Sequence, residues 1–206
     1  AENQVQMLSA VCRRVESPRH ISQLAGAFQA VISDMFTGRP QPGAIEIPID
    51  LQYAETESVI VRVPENRGFE VDPEVISLVA DKVKEATKRI FVVGGGVISS
   101  EASEELKDLA EALDAPVLTT VDGRGVLPED HRLCMGNYYN SAGIYNAIQD
   151  ADLTIAIGTK FAVGVDGQFH SQTPPGELIQ IDIDGNMIGR THRATIGVLS
   201  DAKSAL

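Results

Sequence analysis

The chain has 206 residues, 43% of them hydrophobic, and a formal net charge of −12. That length is enough for one full domain plus part of another. The acidic balance argues against a nucleic-acid binder, which would carry a basic face, and against an anionic membrane surface.

No apolar run approaches the roughly 20 residues that span a bilayer. The start, "AENQVQMLSA", has neither the basic nor the apolar part of a signal peptide, so a cytoplasmic location is expected. Cys12 and Cys134 lie far apart and read as reduced thiols.

In chain order, Ser17-Pro18 reads as a helix start, a capping hydroxyl followed by proline at the first helical position. Ile21, Leu24, Phe28, Val31, Ile32 and Met35 follow with helical spacing, and "GRPQPG" at 38–43 stops the helix. "AIEIPIDL" alternates like a strand with Ile45, Ile47 and Ile49 on one face, and Pro48 places it at an edge or an end. Residues 53–71 lack helical period and carry Pro64, Asn66 and Gly68, as a linker in extended form would.

A regular alternation comes next. Asp72-Pro73 caps a helix striped by Val75, Val79, Val83 and Ala86. Strands are expected at 90–93, "APVLTT", "LTIAIG", "ELIQIDID" and "ATIGVL". Helices fall at 100–113, with Ala102, Leu106, Leu109 and Leu113 facing inward, and at 143–149. Apolar strands separated by amphipathic helices mean an α/β domain with a mostly parallel sheet covered on both faces.

The chemistry gathers at strand ends. Gly94-Gly95-Gly96 follows a strand and precedes a helix, with Gly94 and Gly96 at the first two glycines of G-x-G-x-x-G and Ser99 at the third. The motif alone leaves two readings open: dinucleotide binding, with Asp122 the nearby acidic candidate for a ribose, or a bare strand-to-helix turn. The other strand ends read "TTVDGRG", "GTKFAVG" and "DIDGN". Four polar, flexible ends on one sheet edge favour a ligand crevice. Asp182 and Asp184 share a face, which suits paired acid/base chemistry or, the reading preferred, ribose or amide contacts from Asp182 and a helix cap from Asp184. The sequence holds no Walker A loop, G-x-S-x-G elbow, C-x-x-C or H-E-x-x-H, and its four histidines are scattered. Nothing assembles a nucleophile, a base and an oxyanion site.

"GRPQPGAIEIPIDLQ" resembles the segment that closes the pyrimidine-binding domain of thiamine-diphosphate enzymes. "FVVGGG", "LAEALDAPVLTT", "GRGVLPEDH", "ADLTIAIGTKF", "IQIDID", "IGR" and "SDAKSAL" then follow in the order of that family's central domain, as in acetolactate synthase large subunits. The resemblance implies a C-terminal fragment of a pyrimidine-binding domain over 1–54, a linker over 55–71, and a Rossmann-like nucleotide-binding central domain with a six-stranded, mostly parallel sheet over 72–206. It implies a thiamine-diphosphate-dependent 2-keto acid decarboxylase or carboligase in the full-length chain, with Mg and thiamine diphosphate bound elsewhere. The activating glutamate would lie upstream and the Gly-Asp-Gly metal motif downstream. The segment alone is expected to lack catalytic residues and activity. Its expected partners are the remaining catalytic domains, in a homodimer or homotetramer when full length.

Carried over by position, FAD contacts fall on Gly94, Gly95 and Gly96, on Thr120, Val121 and Asp122, and on Gly158, Lys160 and Val165. Further contacts fall on Asp182 and Ile183, and on Asp201 and Ala202, where Ser200 replaces a family glycine. Tyr138 stands in the segment where acetolactate synthases have Gly-Met-His-Gly. Their "GARFDDRVTG" reads "GTKFAVGVDG", so Lys160, a point charge, replaces an arginine fork. The pocket is therefore open between FAD, another adenine nucleotide and no ligand. The competing readings are a stand-alone dinucleotide-binding module and a structural domain with a vestigial pocket.

Overall fold

The computed structural model describes residues 3–57, 59–60, 71–137, 142–161 and 174–206. It divides into two units, residues 1–67 and 68–206.

The first unit runs α1 (Gln4–Ser9), β1 (Arg14–Glu16), α2 (Leu24–Phe36), β2 (Gly43–Ile45) and α3 (Ile49–Gln52). α2 crosses between two parallel strands, with Arg14 opposite Gly43 and Glu16 opposite Ile45. Gly43 lets α2 lie close on β2, since a Cβ there would sit 2.6 Å from Val31 Cγ1.

Two expectations for this unit are corrected. Ser17 caps nothing, because its hydroxyl donates to Glu46 across the strand pair at 2.7 Å. The cap is His20, whose Nδ1 accepts from Ser22 N–H while Gln23 Oε1 accepts from His20 N–H. The strand expected through Ile49 stops at Ile45. Pro48 has no N–H to give a ladder, and its carbonyl instead accepts from Leu51 and Gln52, starting α3 with Ile49 exposed.

The second unit runs α4 (Pro73–Glu85), β3 (Arg89–Val93), α5 (Gly95–Ser99), α6 (Ser103–Leu113), β4 (Val117–Thr119), β5 (Cys134–Asn137), α7 (Ala142–Asp150), β6 (Leu153–Ile157), β7 (Glu177–Asp182), β8 (Ile196–Leu199) and α8 (Ala202–Ala205). Its strands form one six-stranded sheet in the order β5-β4-β3-β6-β7-β8. Every adjacent pair is parallel. The chain starts at β3, builds outward to β5, then returns through α7 to β6 on the other side of β3. The topological switch point therefore lies between β3 and β6.

As the sequence pattern requires, Asp72 accepts from Glu74 N–H at 2.9 Å with Pro73 at the first helical position. Side chains alternate across the sheet. Phe91, Val93, Ile155, Ile157, Ile179 and Ile181 face α6, with the stripe of α4 packed against the same cluster. Ile90, Val92, Leu118, Ala156 and Leu178 face Ile144 and Ile148 of α7. Full burial of such a side chain contributes about 1.5–3 kcal/mol.

The helix expected over 100–113 is present but starts three residues later, as α6, and a separate short helix precedes it. α5 ends at Ser99, Glu101 is left-handed with φ 55°, and α6 begins at Ser103. Ser100 Oγ donates to the carbonyls of Gly96 and Val97, and Ala102 N–H donates to Val97. β5 has no counterpart among the strands read from periodicity and supplies the sixth strand.

Candidate functional site

The carboxyl ends of the strands are stitched into one row. Thr120 N–H donates to Val93 O, Gly94 N–H to Ile157 O, Gly158 N–H to Ile181 O, and Ser200 N–H to Asp182 O, at 2.8 to 3.1 Å. Each bond extends a strand ladder one step past its end. The row brings Gly94, Gly95, Gly96, Thr120, Val121, Asp122, Gly158, Asp182, Ile183, Asp201 and Ala202 to one edge of the sheet, with Lys160 in the loop beyond Gly158. Tyr138 and Val165 lie outside the described residues.

The glycines fill the switch point with the chain's own backbone. A Cβ on Gly94 would sit 2.3 Å from Gly158 O, and one on Gly96 would sit 2.5 Å from Gly158 Cα. Gly158 returns the contact, with φ +57° and a Cβ that would lie 2.5 Å from Gly96 Cα. On the other side of β3, a Cβ on Gly123 would meet Val93 O at 2.4 Å. Gly96 N–H donates to Gly158 O at 3.1 Å, so the turn after β3 is bonded to the turn after β6. Gly95 is looser, its nearest neighbour being Asp122 Cβ at 3.1 Å from where a Cβ would stand.

Three carboxylates at the edge serve the local backbone. Asp182, buried at the end of β7, accepts from Asp184 N–H at 2.9 Å. Asp201 accepts from Ser204 N–H and Ser204 Oγ and caps α8. Asp184 accepts from the backbone and side-chain nitrogens of Asn186 and so opens a turn, not the helix whose cap the sequence suggested. Lys160 and Asp122 are exposed, and Val121, next to Asp122, is 61% exposed.

Along the outside of the edge, Gly95, Val121 and Asp122 stand toward one end and Lys160 and Ile183 toward the other. Between β3 and β6 glycine backbone already touches glycine backbone, which leaves no room for a group inserted there. Among the described residues, no group of three His, Cys, Asp or Glu side chains is placed to hold a metal ion.

Sequence reasoning missed the contacts beneath this edge. Gln180 is fully buried, and its Nε2 donates to Thr159 O and Met187 O, both at 3.1 Å, while its Oε1 accepts from Gly189 N–H at 2.8 Å. Phe161 is buried with φ 52° and packs edge-on against His192, ring centroids 4.9 Å apart. Burial pushes the His192 imidazole pKa down from its ordinary value. The one legible signal was a glutamine within the apolar run "ELIQIDID".

The thiamine pyrophosphate enzyme central domain matches residues 76–206. This chain belongs to that family. Its N-terminal part aligns as well. The "Probable acetolactate synthase large subunit" of Methanocaldococcus jannaschii is 35% identical over 202 residues, 94% of this chain. The acetolactate synthase large subunit of Corynebacterium glutamicum is 35% identical over 206 residues, 93% of this chain. The chain spans 34% and 31% of those two relatives, about a third of their length. The benzoylformate decarboxylase of Polynucleobacter necessarius shares the fold, with a TM-score of 0.75 over 94% of this chain and 37% of that one at 22% identity. The thiamine-enzyme resemblance and the Rossmann-like parallel sheet read from the sequence are thus both upheld. As a thiamine-enzyme central domain, the second unit carries its glycine triplet at the switch point.

Proposed function

We propose that this chain is the central, cofactor-binding and structural segment of a thiamine-diphosphate-dependent 2-keto acid decarboxylase or carboligase resembling acetolactate synthase. The observation that carries the reading is 35% identity to an acetolactate synthase large subunit through 93% of the chain, N-terminal part included. On this reading 1–54 belongs to a pyrimidine-binding domain, 55–71 links, and 72–206 is the central domain. Thiamine diphosphate and Mg bind to other parts of a longer polypeptide, which works in the cytoplasm as a homodimer or homotetramer.

Such a cofactor supplies an electron sink for the carbanion left by decarboxylation. No residue here is assigned a step in that chemistry. The segment's contribution is to bind and to space. FAD lies along the carboxyl edge, with Gly95, Val121 and Asp122 beside one part and Lys160, Asp182 and Ile183 beside another. Main-chain N–H groups and one lysine suffice to balance a diphosphate in an otherwise acidic protein.

A second reading, a structural domain with an empty pocket, is favoured by one specific observation: the switch point is closed by glycine backbone. The test is direct. The full-length protein is purified, its visible spectrum scanned for flavin bands, and its turnover of 2-keto acids measured with thiamine diphosphate and Mg²⁺. Turnover with a flavin spectrum is expected. A colourless protein that turns over but cannot be loaded with FAD selects the second reading. Decarboxylation by the 206-residue chain alone overturns the assignment of catalysis to the rest of the polypeptide.

A further inference from the structure

We propose that Gln180 is a positioning residue that latches the loop after β6 to the loop after β7 and so sets the span of the carboxyl edge. The proposal rests on the reading of that edge as the nucleotide site.

Gln180 stands mid-sheet on β7, between Ala156 of β6 and Gly197 of β8. Both neighbours are small, so the loop after β7 folds back onto the sheet face. Ile188 fills the place of the missing Gly197 side chain, where a Cβ would sit 2.5 Å from Ile188 Cγ2. Gly189, with φ +72°, then presents its N–H to Gln180 Oε1. From the same amide, Nε2 reaches Met187 O in that loop and Thr159 O in the other.

A primary amide is the smallest side chain that donates twice and accepts once in this geometry. Leucine would take the partner from the buried Thr159 carbonyl and from the more exposed Met187 carbonyl and Gly189 N–H, and glutamate would keep only the acceptor. Two further contacts join the same loops: Thr191 Oγ donates to Lys160 O at 2.9 Å, and His192 packs on Phe161. Lys160 and Asp184 therefore ride on segments fixed to each other through Gln180, while neither touches it.

The test compares wild type, Gln180→Leu and Gln180→Glu in the full-length protein by amide hydrogen exchange and by FAD titration. Gln180→Leu is expected to raise exchange about tenfold in both 159–161 and 187–192, with the strand amides of β6 and β7 unchanged. Gln180→Glu is expected to loosen 159–161 while Gly189 N–H stays protected, a split that general loss of packing would not produce. FAD affinity is expected to fall about tenfold in Gln180→Leu. Loosening confined to 187–192, or spread evenly over the sheet in both variants, overturns the latch. Loosened loops with unchanged FAD affinity overturn the positioning role. If wild type binds no FAD, the flavin assignment fails, and the exchange pattern decides the latch independently.

Discussion

At the residue scale, the glycine triplet shows how a motif can be read correctly in place and still be ambiguous in cause. "FVVGGG" announces a strand, a sharp turn and a helix start, and the structure has all three. What the triplet must approach is not written next to it. Gly94 and Gly96 need no Cβ because Gly158, far along the chain, touches them through its backbone. A local sequence window cannot distinguish room left for a diphosphate from room taken by another turn. The distinction is testable without a ligand. Gly158→Ala places a Cβ 2.5 Å from Gly96 Cα at a residue whose φ is +57°. Backbone strain and overpacking together should cost about 2–5 kcal/mol. Gly95→Ala meets only Asp122, at 3.1 Å, and should change stability far less. Urea unfolding of the apo protein measures both. Equal stability of Gly158→Ala and wild type would show that the glycines do not serve packing.

At the element scale, β3, β6 and β7 were legible because strands buried on both faces read as near-continuous apolar runs. β5 was not, because "CMGN" is an edge strand with no fully buried residue and a glycine at φ +79°. The break between α5 and α6 was also hidden, since it depends on a left-handed Glu101 that sequence does not mark. The starts of β3 and β6 are held by a device that periodicity also does not show. The Asp152 carboxylate accepts from Thr87 Oγ at 2.5 Å and from the N–H groups of Thr87 and Lys88 at 2.9 Å. The Thr87 side-chain bond, then the Thr87 and Lys88 backbone bonds, hold its pKa below the ordinary carboxylate value. A lowered folded pKa means that the unfolded chain takes up the proton first. The stabilisation is therefore full above the unfolded carboxyl value and is lost as pH falls through the folded one. Asp152→Asn should lower the melting temperature at neutral pH, with the gap to wild type closing below about pH 4. A gap that stays constant down to acid would remove the carboxylate from the account.

At the scale of the whole molecule, the two units differ in how much fold they contain. The second buries an apolar cluster on each face of its sheet, and its class was predictable from the alternation of strands and helices alone. The first has a parallel pair of strands in which no residue is fully buried, and among its described residues only Pro18, Ala27, Val31 and Leu51 are buried apolar side chains. Met7, Val11, Ile49 and Tyr53 are each more than two-thirds exposed. Parallel sheets are ordinarily covered on both faces, and a two-stranded sheet is marginal at best. Ordering a residue costs about 1–2 kcal/mol of backbone entropy, which four small-to-medium buried side chains cannot offset over some fifty residues. Residues 68–206 expressed alone should therefore unfold cooperatively, with a sigmoidal urea transition and native far-ultraviolet circular dichroism. Residues 1–67 expressed alone should give the spectrum of a largely unfolded chain and show no transition. A cooperative transition in the shorter piece would mean that its exposed apolar side chains find a core without further polypeptide, and the reading of 1–54 as a fragment of a larger domain would fall with it.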